Sequence, residues 1–188
     1  MYAAVAQTPQ PYDIKGERLG MSFEEFKKNH YNFRAGNPQK HIKDAFSPHC
    51  VTGKSDVFLM LSVEEAAIGI TACYPGIDPL DELILHKHPG PTLANQKLQA
   101  YTFYFYKGKL FKIIAVFKAD EYDAMKAAFI EKFGKTFLER SNSIIWSNGI
   151  STVGLTHYAS GDNSIMLMTL KSVMDEINSI LPKPKNDL

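Results

Sequence analysis

The first clearly marked element in the pattern of apolar and polar positions is a helix near the start of the chain. Ser22 and Glu25 have the spacing of a capping box, and Met21 and Phe26 occupy the two positions of a hydrophobic staple. Apolar residues then recur at helical spacing, so the sequence predicts a helix from Phe23 to Tyr31 with one face on a core.

The next segment allows two interpretations. Val57 to Leu61 is strand-like, but Ser62 and Glu65 also have capping-box spacing for a short helix running into two alanines. We expect strands at Val57–Leu61 and Ala67–Tyr74, with the capped helix as the alternative.

Two later apolar runs predict a hairpin at the centre of a sheet. Leu98 to Tyr106 and Leu110 to Phe117 are rich in aromatic and β-branched residues, and a short Lys107-Gly108-Lys109 loop separates them. Because both runs are apolar on both faces toward their ends, we expect another layer to cover at least one face of this hairpin.

The remainder of the chain predicts a helix, a three-stranded meander and a last helix. Asp120 is placed to cap the first of these helices, and Gly134 to end it in a left-handed conformation. Three strand-like runs follow, with turn residues between them: Ser143–Ser147, Ile150–Tyr158 and Ser164–Leu170. Ser172 and Asp175 have capping-box spacing for the last helix.

This element order predicts an α+β fold in which helices pack on an antiparallel sheet, with two related halves that each lay a helix on strands. We expect one compact domain over 12–182, with halves at about 12–117 and 118–182. A flexible segment, 1–11, would precede it, and a polar tail, 183–188, would follow it.

Composition narrows the function classes. The 188 residues are 45% hydrophobic, enough apolar surface to support a core, and 21 basic against 20 acidic residues give a net charge of +1. That balance provides no basic stripe for phosphates, so we expect no nucleic-acid partner. No apolar run reaches the roughly 20 residues that a membrane span needs. We find no phosphate-binding loop and no His-Glu-x-x-His motif, so we expect no enzyme, no catalytic residues and no cofactor.

The beginning of the chain and the two cysteines point to export. Ala4-Val5-Ala6 has the small-x-small form of a signal-peptidase site, which favours a periplasmic or secreted protein. In such a protein, the only two cysteines, Cys50 and Cys73, predict a disulfide that closes the intervening loop. Two buried free thiols, or a redox or metal role, are the alternatives.

A metal site is the sharper chemical hypothesis. His49 stands beside Cys50, and His86 and His88 alternate within an irregular loop, Leu80 to His88, so both could reach one ion. The spacing matches no zinc signature, and exposed loop histidines are common. A small-ligand or metal-binding protein is therefore the alternative function.

Trp146 is the candidate interface residue. It lies beside the Asn148-Gly149 turn signal, where an exposed tryptophan could anchor a partner protein. Burial of Trp146 against a neighbouring strand is the simpler alternative.

The segment Leu19-Gly20-Met21-Ser22-Phe23-Glu24-Glu25-Phe26 resembles the opening of small exported bacterial domains. These include the SmpA/OmlA-type outer-membrane assembly lipoproteins and the tandem-repeat β-lactamase inhibitor protein. The resemblance implies an α+β scaffold of helices on a sheet and an exported location more than an activity, because such families bind other proteins or have no assigned role. It carries over no functional residues. Unlike the lipoproteins, this chain has no cysteine before Tyr12.

We therefore expect a non-enzymatic exported protein that binds another protein or an envelope component. The sheet face and the loops around Leu80 to Thr92 and Ser160 to Asn163 are the expected contact regions.

Overall fold

The computed structural model describes residues 10–31, 49–56, 59–74, 92–158 and 161–181. Its strands are β1 (Asp13–Ile14), β2 (Glu17–Arg18), β3 (His49–Thr52), β4 (Thr71–Tyr74), β5 (Thr92–Leu93), β6 (Gln96–Tyr106), β7 (Lys109–Lys118), β8 (Leu138–Glu139), β9 (Ser143–Ser147), β10 (Ser151–His157) and β11 (Asn163–Leu170). Its α-helices are α1 (Phe23–Tyr31), α2 (Val63–Ala67), α3 (Tyr122–Phe133) and α4 (Lys171–Ile180).

Within the described residues, nine strands form one sheet in the order β3-β4-β6-β7-β11-β10-β9-β8, with β5 beside the start of β6. Every neighbouring pair is antiparallel. The strands β1 and β2 form a separate hairpin. The predicted α+β class and antiparallel sheet are therefore confirmed.

The central hairpin, β6–β7, forms where the sequence predicted it. Lys107 and Gly108 both have positive φ, 48° and 73°, as a two-residue hairpin turn whose twist matches its strands requires. The predicted meander is also confirmed, because β9, β10 and β11 pair consecutively.

Helix α1 occupies the predicted range. The Ser22 Oγ accepts a hydrogen bond from the backbone N–H of Glu25 at 3.1 Å, which satisfies one of the helix's first donors. Met21 and Phe26 are both buried, and the Phe26 ring lies 4.8 Å from that of Phe103 on β6. This contact places α1 on the sheet.

The predicted strand Ala67–Tyr74 is wrong over its first four residues, because the capped-helix alternative is the one that forms. The N–H of Glu65 donates to the Ser62 Oγ at 3.1 Å, and the N–H of Ser62 donates to the Glu65 carboxylate at 3.2 Å. These reciprocal bonds start α2, so the strand begins only at Thr71. Of the other predicted strand, Val57 and Phe58 lie outside the described residues.

Two predicted helix starts are corrected. Asp120 does not cap α3: residues 119–121 form a 3₁₀ turn, and the Glu121 carboxylate accepts the Lys118 N–H at 3.1 Å instead. The Ser172–Asp175 capping box does not form, because α4 already begins at Lys171, whose ammonium pairs with Asp175 one turn later.

Gly134 ends α3 as predicted, with a φ of 77° that disfavours other residues. Its ψ of −150° lies outside the left-handed helical region, so the chain leaves the helix extended rather than in a left-handed turn.

Helices cover one face of the sheet from β6 to β9. Residues directly opposite each other in a sheet share a face, and one such row runs Trp146, Val153, Met168, Ile113, Phe103, Cys73, Cys50. All of them except Cys50, which is partly exposed, are buried. Phe26 of α1 and Phe129 of α3 pack on this row, so we call this side the helix-covered face.

Candidate protein-binding surface

The cysteines form the predicted disulfide. Cys50 on β3 and Cys73 on β4 are directly opposite each other, with an S–S distance of 2.03 Å. Neither sulfur is therefore a free thiol, which excludes the two-free-thiol alternative and leaves neither sulfur as a thiolate ligand for a metal in the oxidised protein.

The histidines of the metal hypothesis are not brought together in the described structure. His49 belongs to β3 opposite Tyr74, but its side chain, like all of His86 and His88, lies outside what the structure describes. Among the described residues, no group of three or more His, Cys, Asp or Glu side chains could hold a metal ion. The metal site at His49, His86 and His88 stays a prediction.

Trp146 is not an exposed contact residue, which corrects its assignment as an interface candidate. Its side chain is 1% exposed, lies 5.8 Å from the Phe129 ring and donates from Nε1 to the Gly134 carbonyl at 3.0 Å. Strand alternation explains this, because Trp146 is opposite Val153 on the helix-covered face. The burial alternative is the one observed.

The face of the sheet opposite the helix-covered face is uncovered at β7, β11, β10 and β9 in the described structure. Its side chains share partial exposure and the absence of charge: Ile114 and Val116 on β7, Ile165 and Leu167 on β11, Thr152, Gly154 and Thr156 on β10, and Ser143, Ile145 and Ser147 on β9. Leu167, at its centre, is 40% exposed. We call these ten residues the open face.

Two larger side chains extend the open face at its margins. Leu138 on β8 is opposite Ile145 and is 37% exposed, and Tyr158, two residues after Thr156, is 47% exposed. Charge appears only at the ends of β7, where Lys112 and Lys118 alternate onto the same side. The surface is thus apolar and hydroxyl-bearing at its centre.

Helix α2 covers the same side of the sheet at β4 and β6. The Tyr104 hydroxyl donates to the Leu59 carbonyl at 2.6 Å, just before α2, and both Tyr104 and Ala72 are fully buried. Leu61 and Ala66 are buried with them. The covered region therefore has its own small core.

An ion pair marks the boundary between the covered region and the open face. The Lys112 ammonium lies 2.5 Å from the Glu65 carboxylate of α2 and 3.9 Å from the centre of the Tyr104 ring. Burial raises the pKa of Tyr104 above its usual value near 10, and the nearby Glu65 charge raises it further. Tyr104 thus stays a neutral hydrogen-bond donor under α2.

A second buried tyrosine, Tyr101, lies on the helix-covered face. Burial raises the pKa of Tyr101, and the Glu17 carboxylate adds to that rise. Within the described part of the chain, the Tyr101 hydroxyl has no hydrogen-bond partner. No group of three or more His, Cys, Asp or Glu side chains among the described residues could hold a metal ion there, and Tyr101 and Glu17 are both buried.

Ser151, at the start of β10, is a buried serine whose hydroxyl both accepts and donates a hydrogen bond. Ser151 is 1% exposed, and its Oγ accepts the Tyr12 N–H at 2.9 Å and donates to the Asn148 side chain at 3.2 Å. Both of its hydrogen-bonding directions are used in fixing the β9–β10 turn.

Sequence reasoning named a sheet face as a contact region but did not identify its residues. The signal was present in β10, where Val153 and Leu155 alternate with Thr152, Gly154 and Thr156. Such alternation indicates one buried and one exposed face.

No helix of the described residues is long and apolar enough to cross a membrane. Comparison with models of protein families, with curated proteins and with solved structures finds no match for this chain.

Proposed function

We propose that this protein is a non-enzymatic binding protein that holds another protein against its open face. The observation that carries the proposal is the character of that face: it combines five aliphatic side chains with four hydroxyl-bearing ones and a glycine, is uncharged and is partly exposed. Contiguous exposed apolar surface bounded by polar residues marks interaction sites in soluble proteins.

The strand order supports a scaffold of two related halves, as in the tandem-repeat proteins that the N-terminal segment resembles. From one edge to the centre the order is β3, β4, β6, β7, and from the other edge to the centre it is β8, β9, β10, β11. Helix α1 precedes the first set and α3 the second, and both pack on the helix-covered face.

The disulfide supports an exported location. Disulfides persist in the periplasm and outside the cell, and cytosolic reductants keep most thiols reduced. The Cys50–Cys73 bridge therefore fits a periplasmic or secreted protein. Its partner would be an envelope or extracellular protein.

Site-specific photo-crosslinking tests the proposal. A photoreactive amino acid would replace Leu167 on the open face and, as a matched control, Val63, which is 67% exposed on α2 outside it. In envelope extract of the source organism, we expect a discrete adduct from position 167 and none from position 63.

Competition makes this result specific. Excess unlabelled protein should suppress the adduct, Leu167→Lys protein should not, and Val63→Lys protein should compete as well as the unmodified chain. Equal competition by all three proteins, or no adduct at position 167, would remove the open face as the binding surface.

A further inference from the structure

The centre of the open face is a glycine that the fold itself does not require. Gly154 lies in the middle of β10, paired with Ile145 on one side and Leu167 on the other. Its φ is ordinary, and a Cβ built there would meet only the Leu167 carbonyl, at a normal contact distance of 3.9 Å. Glycine weakens a strand interior by roughly 0.5–1 kcal/mol relative to alanine.

A glycine inside a strand is typical of places where another backbone approaches closely. No described element of this chain lies over Gly154, which is partly exposed. Among the described residues, nothing fills the space over Gly154, so this position leaves room for the backbone of a partner.

The other end of the sheet shows how this fold covers the equivalent side. There, α2 lies over β4 and β6, with a small residue, Ala66, buried and Glu65 reaching Lys112. Of the described residues that connect β3 to β4, Leu59, Leu61 and α2 supply that cover. β8 connects to β9 through residues 140–142, which contain no helix, and no helix of the described residues covers this side at β9 and β10.

We propose that the occupant of the open face is an amphipathic helix of the partner protein, which places a small residue over Gly154 as α2 places Ala66 over its own strands. This inference rests on the proposed function and names the element that binds. Leu167 and Ile145 flank the glycine and contact the apolar side chains of the helix.

Charge supports an acidic residue on that helix. Lys118 is exposed at the end of β7, on the same side as the open face, and no carboxylate of the described residues is ion-paired with it. Lys112, six residues earlier on the same strand, already pairs with a glutamate of α2. A partner carboxylate near Lys118 would repeat this arrangement.

The size of the open face also favours a helix over a second copy of this chain. The open face spans four strands that lie about 4.8 Å apart. A stretch of about five residues of each strand lies beneath it, so its area is on the order of 300 Å². A stable protein–protein interface takes about 800 Å² from each partner, whereas a helix is only about 10 Å wide.

The first test separates stability from binding at the glycine. Gly154→Val adds a β-branched side chain in a conformation that it tolerates, so we expect equal or higher resistance to urea. Because its methyl groups occupy the approach surface, we expect at least about tenfold weaker binding to a helical probe. Ala127→Val, which places the same side chain at an exposed position of α3 on the other side of the sheet, is the control and should change binding by less than about twofold.

The probe is a hydrocarbon-stapled peptide with the chain's own sequence from 59 to 70, which contains α2, titrated into ¹⁵N-labelled protein. We expect amide shift changes centred on Ile145, Gly154 and Leu167, lost in Gly154→Val. Shift changes elsewhere, none at millimolar peptide, or equal binding by Gly154→Val would overturn the helix as occupant.

Analytical ultracentrifugation of the full chain tests whether a second copy of the chain occupies the open face. A dimer that dissociates in Leu167→Lys would assign the face to a second copy and also overturn the helix. If the photo-adduct at position 167 forms while the peptide fails, the binding function stands and only its helical occupant is wrong.

Discussion

The two ends of the sheet have similar strand architecture but different cover among the described residues. At the first end, the connection between β3 and β4 contains α2, and the second side of β4 and β6 is buried there. At the other end, residues 140–142 make only a turn, and the same side of β9 and β10 stays partly exposed.

In this sheet, the side of the strands that α2 covers belongs to the core, and the same side is partly exposed where no described helix lies over it. The row Ile145, Gly154, Leu167, Ile114, Thr102 crosses from one region into the other. Its first four members are partly exposed, and Thr102 is fully buried. Substitutions on either side of this boundary should therefore have different effects.

The largest expected effect on stability is at Trp146, which lies on β9 on the helix-covered face. Trp146→Ala should lower the free energy of unfolding by about 3–5 kcal/mol, because it leaves a cavity beneath α3 and removes the bond to Gly134. Ile145→Ala, one residue away on the open face, is the matched control and should cost under about 1.5 kcal/mol. Urea denaturation measures both, and equal losses would mean that the two faces are packed alike.

Removal of the disulfide should have the next largest effect. Replacing both Cys50 and Cys73 with alanine opens a loop with a sequence separation of 23 and should cost roughly 3 kcal/mol. Because the bridge lies at the first edge, hydrogen exchange should accelerate most in β3 and β4.

Uniform acceleration of exchange across β9 and β10 would contradict a local role for the bridge. The matched control is a Thr52→Ala and Thr71→Ala pair, which removes a 2.7 Å cross-strand hydroxyl contact on the same two strands. That pair should cost much less than the disulfide.

Most helices and strands were predicted from the sequence because the signals that start and end them, such as capping boxes and turns, involve residues that are close together in the chain. The helix from Phe23 to Tyr31 and the strand Ser143–Ser147 were predicted with their observed bounds. Where two local signals competed, as at Ser62, the reciprocal capping bonds prevailed over β-propensity. The errors at Asp120 and Ser172 arose because more than one residue could start the helix.

Tyr104→Phe should have a moderate effect that depends on pH. At neutral pH the loss of the bond to Leu59 should cost about 1 kcal/mol. The native pKa of Tyr104 is raised, so above about pH 10 the unfolded chain loses this proton while the native protein keeps it. Stability from Tyr104 is therefore full below pH 10 and falls as the pH rises further.

The difference between the unmodified chain and Tyr104→Phe should consequently shrink above pH 10 in urea titrations. Tyr158→Phe, at a 47% exposed tyrosine, is the control and should show a pH-independent difference near zero. A difference for Tyr104→Phe that stays constant to pH 11 would mean that the phenol is ionised equally in both states.

The open face could not be predicted from the sequence because exposure depends on what lies over a strand. β7 and β11 carry apolar residues on both faces, a pattern typical of fully buried strands. Only the sheet order, with α2 over β4 and β6, shows that Ile114 and Leu167 lack such cover. Trp146 was misjudged for the same reason, since its turn position suggested exposure and its face determines burial.

The smallest expected effect is at the centre of the open face. Leu167→Thr should change the free energy of unfolding by no more than about 0.5 kcal/mol, because Leu167 is 40% exposed and threonine favours strands. Met168→Thr, the next residue, is fully buried on the helix-covered face and should cost several times more. A loss above about 2 kcal/mol for Leu167→Thr would mean that the isolated chain covers this surface itself, leaving no open face for a partner to bind.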